Sequence, residues 1–255
     1  MRAAIAIQPA PAALRRLVRE NVVKVSNACS TCGLSSLCLP CAAHSEDIAT
    51  IEHLVYVRKR VKRGEHLYRT GDPFHALYTF RTGFFKSVVT AEDGRTHVTG
   101  FQMPGEILGL DGIELERHSQ DVIALEDAEV CVLPYAQLAE EAVRVPSLQH
   151  HLHRLMSREI IRDHGLMLLL GTMHADGRVA AFLLNLGKRF AERGYSSREF
   201  NLRMTREDIG SYLGLKLETV SRVLSRFHER GLVETHNRLV RIVDPVRLKA
   251  ETAHG

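Results

Sequence analysis

Four of the five cysteines fall within one short string, CSTCGLSSLCLPC, which holds Cys29, Cys32, Cys38 and Cys41; the fifth, Cys131, lies far downstream. Thiolates this dense are soft ligands, suited to zinc or to an iron-sulfur cluster. Two CxxC pairs, Cys29/Cys32 and Cys38/Cys41, can be read as a zinc site, although the five residues between them are few for the separated knuckles of a zinc ribbon. A CxxC turn followed by a five-residue loop to a third cysteine also suits three corners of a 4Fe-4S cluster. The fourth corner then falls to Cys41 or Cys131, and Cys131 can equally be read as a small buried hydrophobe on a strand. A second chemistry lies near the C-terminus. In LETVSRVLSRF, Glu218, Ser221, Arg222 and Arg226 share the polar side of a helix whose other face carries Val220, Leu224 and Phe227. Arginine can grip the O6 and N7 of guanine, glutamate accepts from base amino groups, and serine is an adaptable contact.

These side chains need elements to hold them. Residues 1–28, rich in Pro and Ala and without a period, are expected to form a mobile arm ahead of the cysteine segment 29–41. Residues 42–145 break into short alternating runs punctuated by glycines, which predicts a jelly-roll β domain. Residues 146–172 predict one long helix. On it Leu152, Met156, Ile160, Met167 and Leu170 form a narrow stripe, expected to be the seam of a homodimer, with Asp163 placed to repel its mate. Residues 173–255 predict a winged helix-turn-helix. There Thr205 caps a short helix, Gly214 ends it, a second helix follows from about Leu217 to Arg230, and a hairpin turns at His236-Asn237. Lys216, just before the second helix, opposes the helix dipole unless a phosphate lies nearby, as a DNA backbone would provide. The fold class is therefore α+β.

Charge supports an anionic partner for the C-terminal third. The whole chain carries +4, but from Thr172 onward fifteen Lys and Arg face ten Asp and Glu. The N-terminal stretch has neither an export signal nor a long apolar run, so a cytoplasmic protein without a membrane span is expected, and structural disulfides are not. Fourteen scattered histidines, including the run at His150, His151 and His153, show no convergent acid-base set, which argues against an enzyme.

LETVSRVLSRF resembles the recognition helix of the CRP/FNR family of transcription regulators. Its E-x-x-S-R form, Glu218, Ser221 and Arg222, is similar to the FNR subgroup and not to the R-E-x-x-x-R form of the cyclic-AMP receptor. C-x2-C-x5-C ahead of a jelly roll, with a further cysteine in A-E-V-C near that domain's exit, resembles the ligand set of oxygen-sensing FNR proteins. The resemblance spans about residues 26–250. It implies that Cys29, Cys32, Cys38 and Cys131 hold an oxygen-labile 4Fe-4S cluster, with Cys41 a spare. It also implies a homodimer that binds palindromic double-stranded DNA with TTGAT half-sites, and contact with RNA polymerase through the loop Thr90 to Thr96. The family's cyclic-nucleotide receptors place an Arg-Ser pair on the phosphate. Here Gly105-Glu106 is kept, but the stretch to Ser119 is shorter, His118 stands where the Arg should align, and Arg117 is one place off. No cyclic nucleotide is expected to bind. The competing readings are a cyclic-nucleotide-responsive or zinc-stabilised regulator and, outside regulation, a redox enzyme.

Overall fold

The computed structural model of the protein describes residues 22–24, 32, 34, 37, 38 and 57–253. Two sheets face each other across the β domain. One runs β1 (Val22–Lys24), β2 (Val57–Val61), β9 (Ala128–Pro134), β4 (Ala76–Thr82), β7 (Ile107–Leu108); the other runs β3 (His66–Tyr68), β8 (Asp121–Ala124), β5 (Phe85–Thr90), β6 (Thr96–Gln102). All the pairings are antiparallel. Part of the expected arm is thus an edge strand, since β1 pairs with β2 and sets Lys24 opposite Val57.

Strand periodicity sorts the side chains. On β4 and β9 the set Ala76, Tyr78, Phe80, Val130 and Val132 fills the space between the sheets. The alternate set, Leu77, Cys131 and Leu133, looks outward and packs beneath α1 (Tyr135–Arg144) and the first turns of α2 (Pro146–Thr172), against Leu138, Leu148, Leu152 and Leu155. The long helix expected over 146–172 is present, with Pro146 in its first turn, where the missing N–H costs no hydrogen bond.

The C-terminal unit contains α3 (Ala175–Ala191), β10 (Glu199–Asn201), α4 (Arg206–Leu213), α5 (Leu217–Glu229), β11 (Val233–His236), β12 (Leu239–Ile242) and α6 (Pro245–Ala250). Its sheet runs β10-β12-β11, and Asn237 takes φ 54° in the hairpin turn. Thr205 and Asp208 form a reciprocal capping box at the start of α4, and Gly214 at φ 63° ends it. Few residues other than glycine adopt that left-handed conformation cheaply, so this residue turns the chain from α4 into α5. The two units share a core: Phe101 of β6 packs on Phe182 of α3 and Tyr212 of α4, at ring separations of 5.9 and 5.2 Å.

Candidate functional site

Cys38 lies in a turn in which its own N–H and that of Leu37 donate to the Leu34 carbonyl. The turn rests on the β domain. Cys38 is 9% exposed, and its thiol donates to the Thr79 hydroxyl at 3.3 Å. Thr79 is the cross-strand partner of Cys131 in the β4/β9 ladder, so both side chains stand on the same outward face. Two of the predicted ligands are thereby brought to one patch of the sheet. Cys32, six residues before Cys38, is half-buried. Cys29 and Cys41 lie outside the described residues, and among the described residues no three His, Cys, Asp or Glu converge on a metal position. The donor chemistry of the patch is soft sulfur from two separate chain segments, which fits an iron-sulfur group bridging them.

The same turn touches a second feature that the sequence disclosed only in part. Gly105 adopts φ +87°, and a Cβ placed there would come within 2.9 Å of the Leu37 Cβ. The next residue, Glu106, is the hub of a buried ion cluster. Its carboxylate accepts from Arg189 of α3 at 2.7 and 3.1 Å and from Arg193, two residues beyond that helix, at 2.8 Å, and lies 3.5 Å from Arg162 of α2. Burial alone would push the Glu106 carboxyl up; the guanidinium groups of Arg189, Arg162 and Arg193 outweigh it and hold the group at about 2. Sequence reasoning read Glu106 only as a remnant of a nucleotide site. Arg189 and Arg193, four residues apart, could have signalled a shared carboxylate, but nothing local named the partner.

A cavity of about 390 Å³ opens between the β domain and α2, lined among others by Gln102, Asp111, Ser119, Glu159, Arg162 and Asp163. Neither residue at the expected phosphate-binding place is available. His118 is buried, stacked on Tyr68 at 3.6 Å with its Nδ1 3.4 Å from Asp111, while Arg117 donates to the Gly71 carbonyl at 2.8 Å.

Along α2 the predicted seam divides. Leu152 is buried in its own subunit and Met156 partly so, whereas Ile160, Asp163 and Met167 are exposed and Leu170 is half-buried. Ile161 and Leu168, 67% and 62% exposed, widen the bare apolar surface beyond the stripe. The helix ends against Arg178 of α3, whose guanidinium donates to the carbonyls of Met173 at 2.8 Å, Leu170 at 2.9 Å and Leu213 at 3.0 Å. One side chain thus closes both α2 and α4.

On α5, Val220, Val223, Leu224 and Phe227 are buried, leaving Glu218 and Arg222 exposed and Ser221 half-buried, with Ser221 accepting from Arg206 at 3.1 Å. Lys216 is the N-cap and makes no capping bond, as its type dictates. Arg226 is engaged elsewhere: it pairs with Asp176 of α3 through two bonds, one of 3.3 Å. Asp208, beyond its capping role, accepts from Lys86 of β5 at 2.5 Å, and Ser211 accepts from the Val98 N–H at 2.9 Å, docking α4 on the β domain. Burial opposes ionisation of Asp208, and the bonds from Lys86 and Thr205 overcome it, keeping its carboxyl below the usual range.

Residues 58–144 match the cyclic nucleotide-binding domain family, and residues 177–251 match the Crp-like helix-turn-helix domain family. The chain is 46% identical over 221 residues to the transcriptional regulatory protein btr of Bordetella pertussis, covering 87% of this chain and 91% of that protein. It is 38% identical over 226 residues to the fumarate and nitrate reduction regulatory protein of Salmonella typhimurium, covering 89% and 90%. Among solved structures, FixK2 from Bradyrhizobium japonicum superposes with a TM-score of 0.71 at 30% identity, covering 78% of this chain and all but 2% of the other. A β domain of this topology, a long helix leading from it and a winged helix-turn-helix, together with relatives matched over nearly their whole length, establish that the chain belongs to the CRP/FNR family as an FNR-type transcription regulator.

Proposed function

We propose that this regulator governs genes of anaerobic and low-oxygen growth, and that Cys29, Cys32, Cys38 and Cys131 hold a 4Fe-4S cluster that makes its DNA binding oxygen-dependent. The observation that carries the reading is the Cys38 thiol on Thr79, the strand partner of Cys131. Relatives named as anaerobic regulators, such as that of Haemophilus influenzae at 38% identity, favour the same physiology. When bound, the cluster supplies an oxygen-labile cross-link between the cysteine segment and β9.

The protein's own side chains carry the consequence of that link. Cys38 held to Cys131 keeps Leu37 on Gly105, which sets the turn presenting Glu106 to Arg162 on the dimer helix, to Arg189 on α3 and to Arg193 just past its end. Cys131 also packs under α1 and the start of α2. Both routes bias where α2 lies, so the exposed Ile160 and Met167 meet their mates with Asp163 opposing closure, and Leu152, Met156 and Leu170 brace the seam from within each subunit. Arg178 passes the position of α2 to α4, and two copies of α5 enter successive major grooves of a palindrome with TTGAT half-sites. There Glu218, Ser221 and Arg222 read bases, and Lys216 meets a phosphate. Arg226 is available to DNA only by leaving Asp176. The exposed turn Thr90 to Thr96, closed by Asp93 and Arg95, is the surface offered to RNA polymerase. The β-domain cavity takes no cyclic nucleotide, because Glu106 is committed to three arginines and the cavity lining carries the carboxylates Asp111, Glu159 and Asp163.

The test is to purify the protein without oxygen, measure iron, sulfide and zinc, then admit air while following absorbance and sedimentation. About four irons and four sulfides per chain are expected, with the brown colour bleaching as dimer converts to monomer. A colourless protein holding one zinc and remaining dimeric in air would remove the oxygen switch and leave a constitutive regulator.

A further inference from the structure

Thr79 is 1% exposed on the outward face of β4, between the inward-facing Tyr78 and Phe80. Its face neighbours are apolar apart from sulfur: Leu77 two residues before it, and Leu133 and Cys131 on the adjoining strand. A β-branched side chain suits that position, but valine would supply the branch without a hydroxyl to satisfy. The hydroxyl here meets one described partner, the Cys38 sulfur, and it does so beside Cys131.

We infer that Thr79 is a positioning residue of the cysteine site, holding the Cys38 sulfur over Cys131 and donating a hydrogen bond to that sulfur once it is a thiolate ligand. The inference rests on the reading that Cys38 and Cys131 are ligands. In the metal-free protein Cys38 is the donor and the Thr79 oxygen accepts. A ligating thiolate has no proton to give, and the freely rotating hydroxyl then turns its own hydrogen toward the sulfur without any movement of β4. A hydrogen bond to a ligating sulfur withdraws electron density from it and favours the more reduced, more negatively charged state of an iron-sulfur group. Thr79 therefore slows attack by oxygen. It sets how much oxygen the sensor tolerates, while the four cysteines determine whether it senses oxygen at all.

Two substitutions separate this role from packing: Thr79→Val keeps the shape and loses the hydroxyl, and Thr79→Ser keeps the hydroxyl. Each variant and the parent are purified without oxygen, iron and sulfide are counted, and the bleaching rate in air-saturated buffer is recorded. In a second measurement, on reduced metal-free protein, the rate at which iodoacetamide labels Cys38 is read by peptide mass spectrometry. All three proteins should hold about four irons. Thr79→Val should bleach about fivefold faster, the effect of one lost hydrogen bond, and its Cys38 should label severalfold faster, while Thr79→Ser matches the parent in both. If Thr79→Val carries the full iron complement, bleaches at the parental rate and labels at the parental rate, the role given to Thr79 is wrong and the cluster reading stands. If the parent itself holds no iron, the cluster reading fails and takes the donor role with it.

Discussion

Glu106 shows how one buried carboxylate can hold separate parts of a fold together. Its carboxylate, held at about 2 by burial opposed by three arginines, is ionised throughout the physiological range and ties the β domain to both α2 and α3. Because its folded value lies below the ordinary 4.5, the stability it contributes is fully present above about pH 4.5 and is lost as pH falls toward 2. The shift corresponds to about 3 kcal/mol. Glu106→Gln would leave Arg189 and Arg193 buried against a neutral amide, and we expect it to lower stability at pH 7 by about 3–5 kcal/mol. Urea midpoints measured between pH 3 and 7 should then fall less steeply for the variant than for the parent. The polar face of α5, with Glu218, Ser221 and Arg222 opposite the buried Val220, Leu224 and Phe227, was legible in the sequence because helical spacing is a local pattern. Glu106 was not, since three cations that converge from positions 162, 189 and 193 share no local pattern.

At the scale of elements, local rules and the structure agree wherever the signal is contiguous. The capping box at Thr205 and Asp208, the Gly214 turn and the full length of α2 all follow from residues adjacent in sequence. What the sequence left open is how α2 ends. Met173 follows it in extended conformation, and its last turn carries no basic residue, so the free carbonyls are satisfied from outside by Arg178. That side chain also takes the Leu213 carbonyl, so the end of α2 and the end of α4 are held by one group. Replacing Arg178 with Met should cost at least about 2 kcal/mol through three unsatisfied carbonyls. Operator affinity should fall with it even though Glu218, Ser221 and Arg222, the proposed base-reading residues, are unchanged. Gel-shift titration alongside thermal unfolding checks both; unchanged affinity in a destabilised variant would show that α2 and α5 communicate by another route.

In the whole molecule, the β domain and the DNA-binding unit share a core at Phe101, Phe182 and Tyr212 and are pinned by Lys86 with Asp208. Reorienting α5 therefore means sliding a packed interface, which suits discrete positions better than gradual bending. The domain order and fold class were visible from the change of period along the chain, whereas the docking of one unit on the other depends on contacts more than a hundred residues apart, such as Lys86 to Asp208. The pairing of β1 with β2 has its own consequence for the cysteines. Lys24 and Val57 sit opposite each other, so residues 25 to 56, which include every N-terminal cysteine, are tethered at both ends to one sheet. A segment anchored at both ends keeps its thiols at a high effective concentration around β9, typically millimolar for short tethers, so that on the proposed cluster a ligand that lets go is held near enough to rebind. Deleting residues 1–24 leaves that segment tethered at one end only. If the proposed cluster is bound, iron should then pass to a chelator severalfold faster without oxygen, and loss at the parental rate would mean that the strand contributes nothing to retention. On the proposed cluster, the groups around the sulfurs would govern how fast oxygen acts and the three-residue strand how long iron is retained, two properties placed in different parts of the chain.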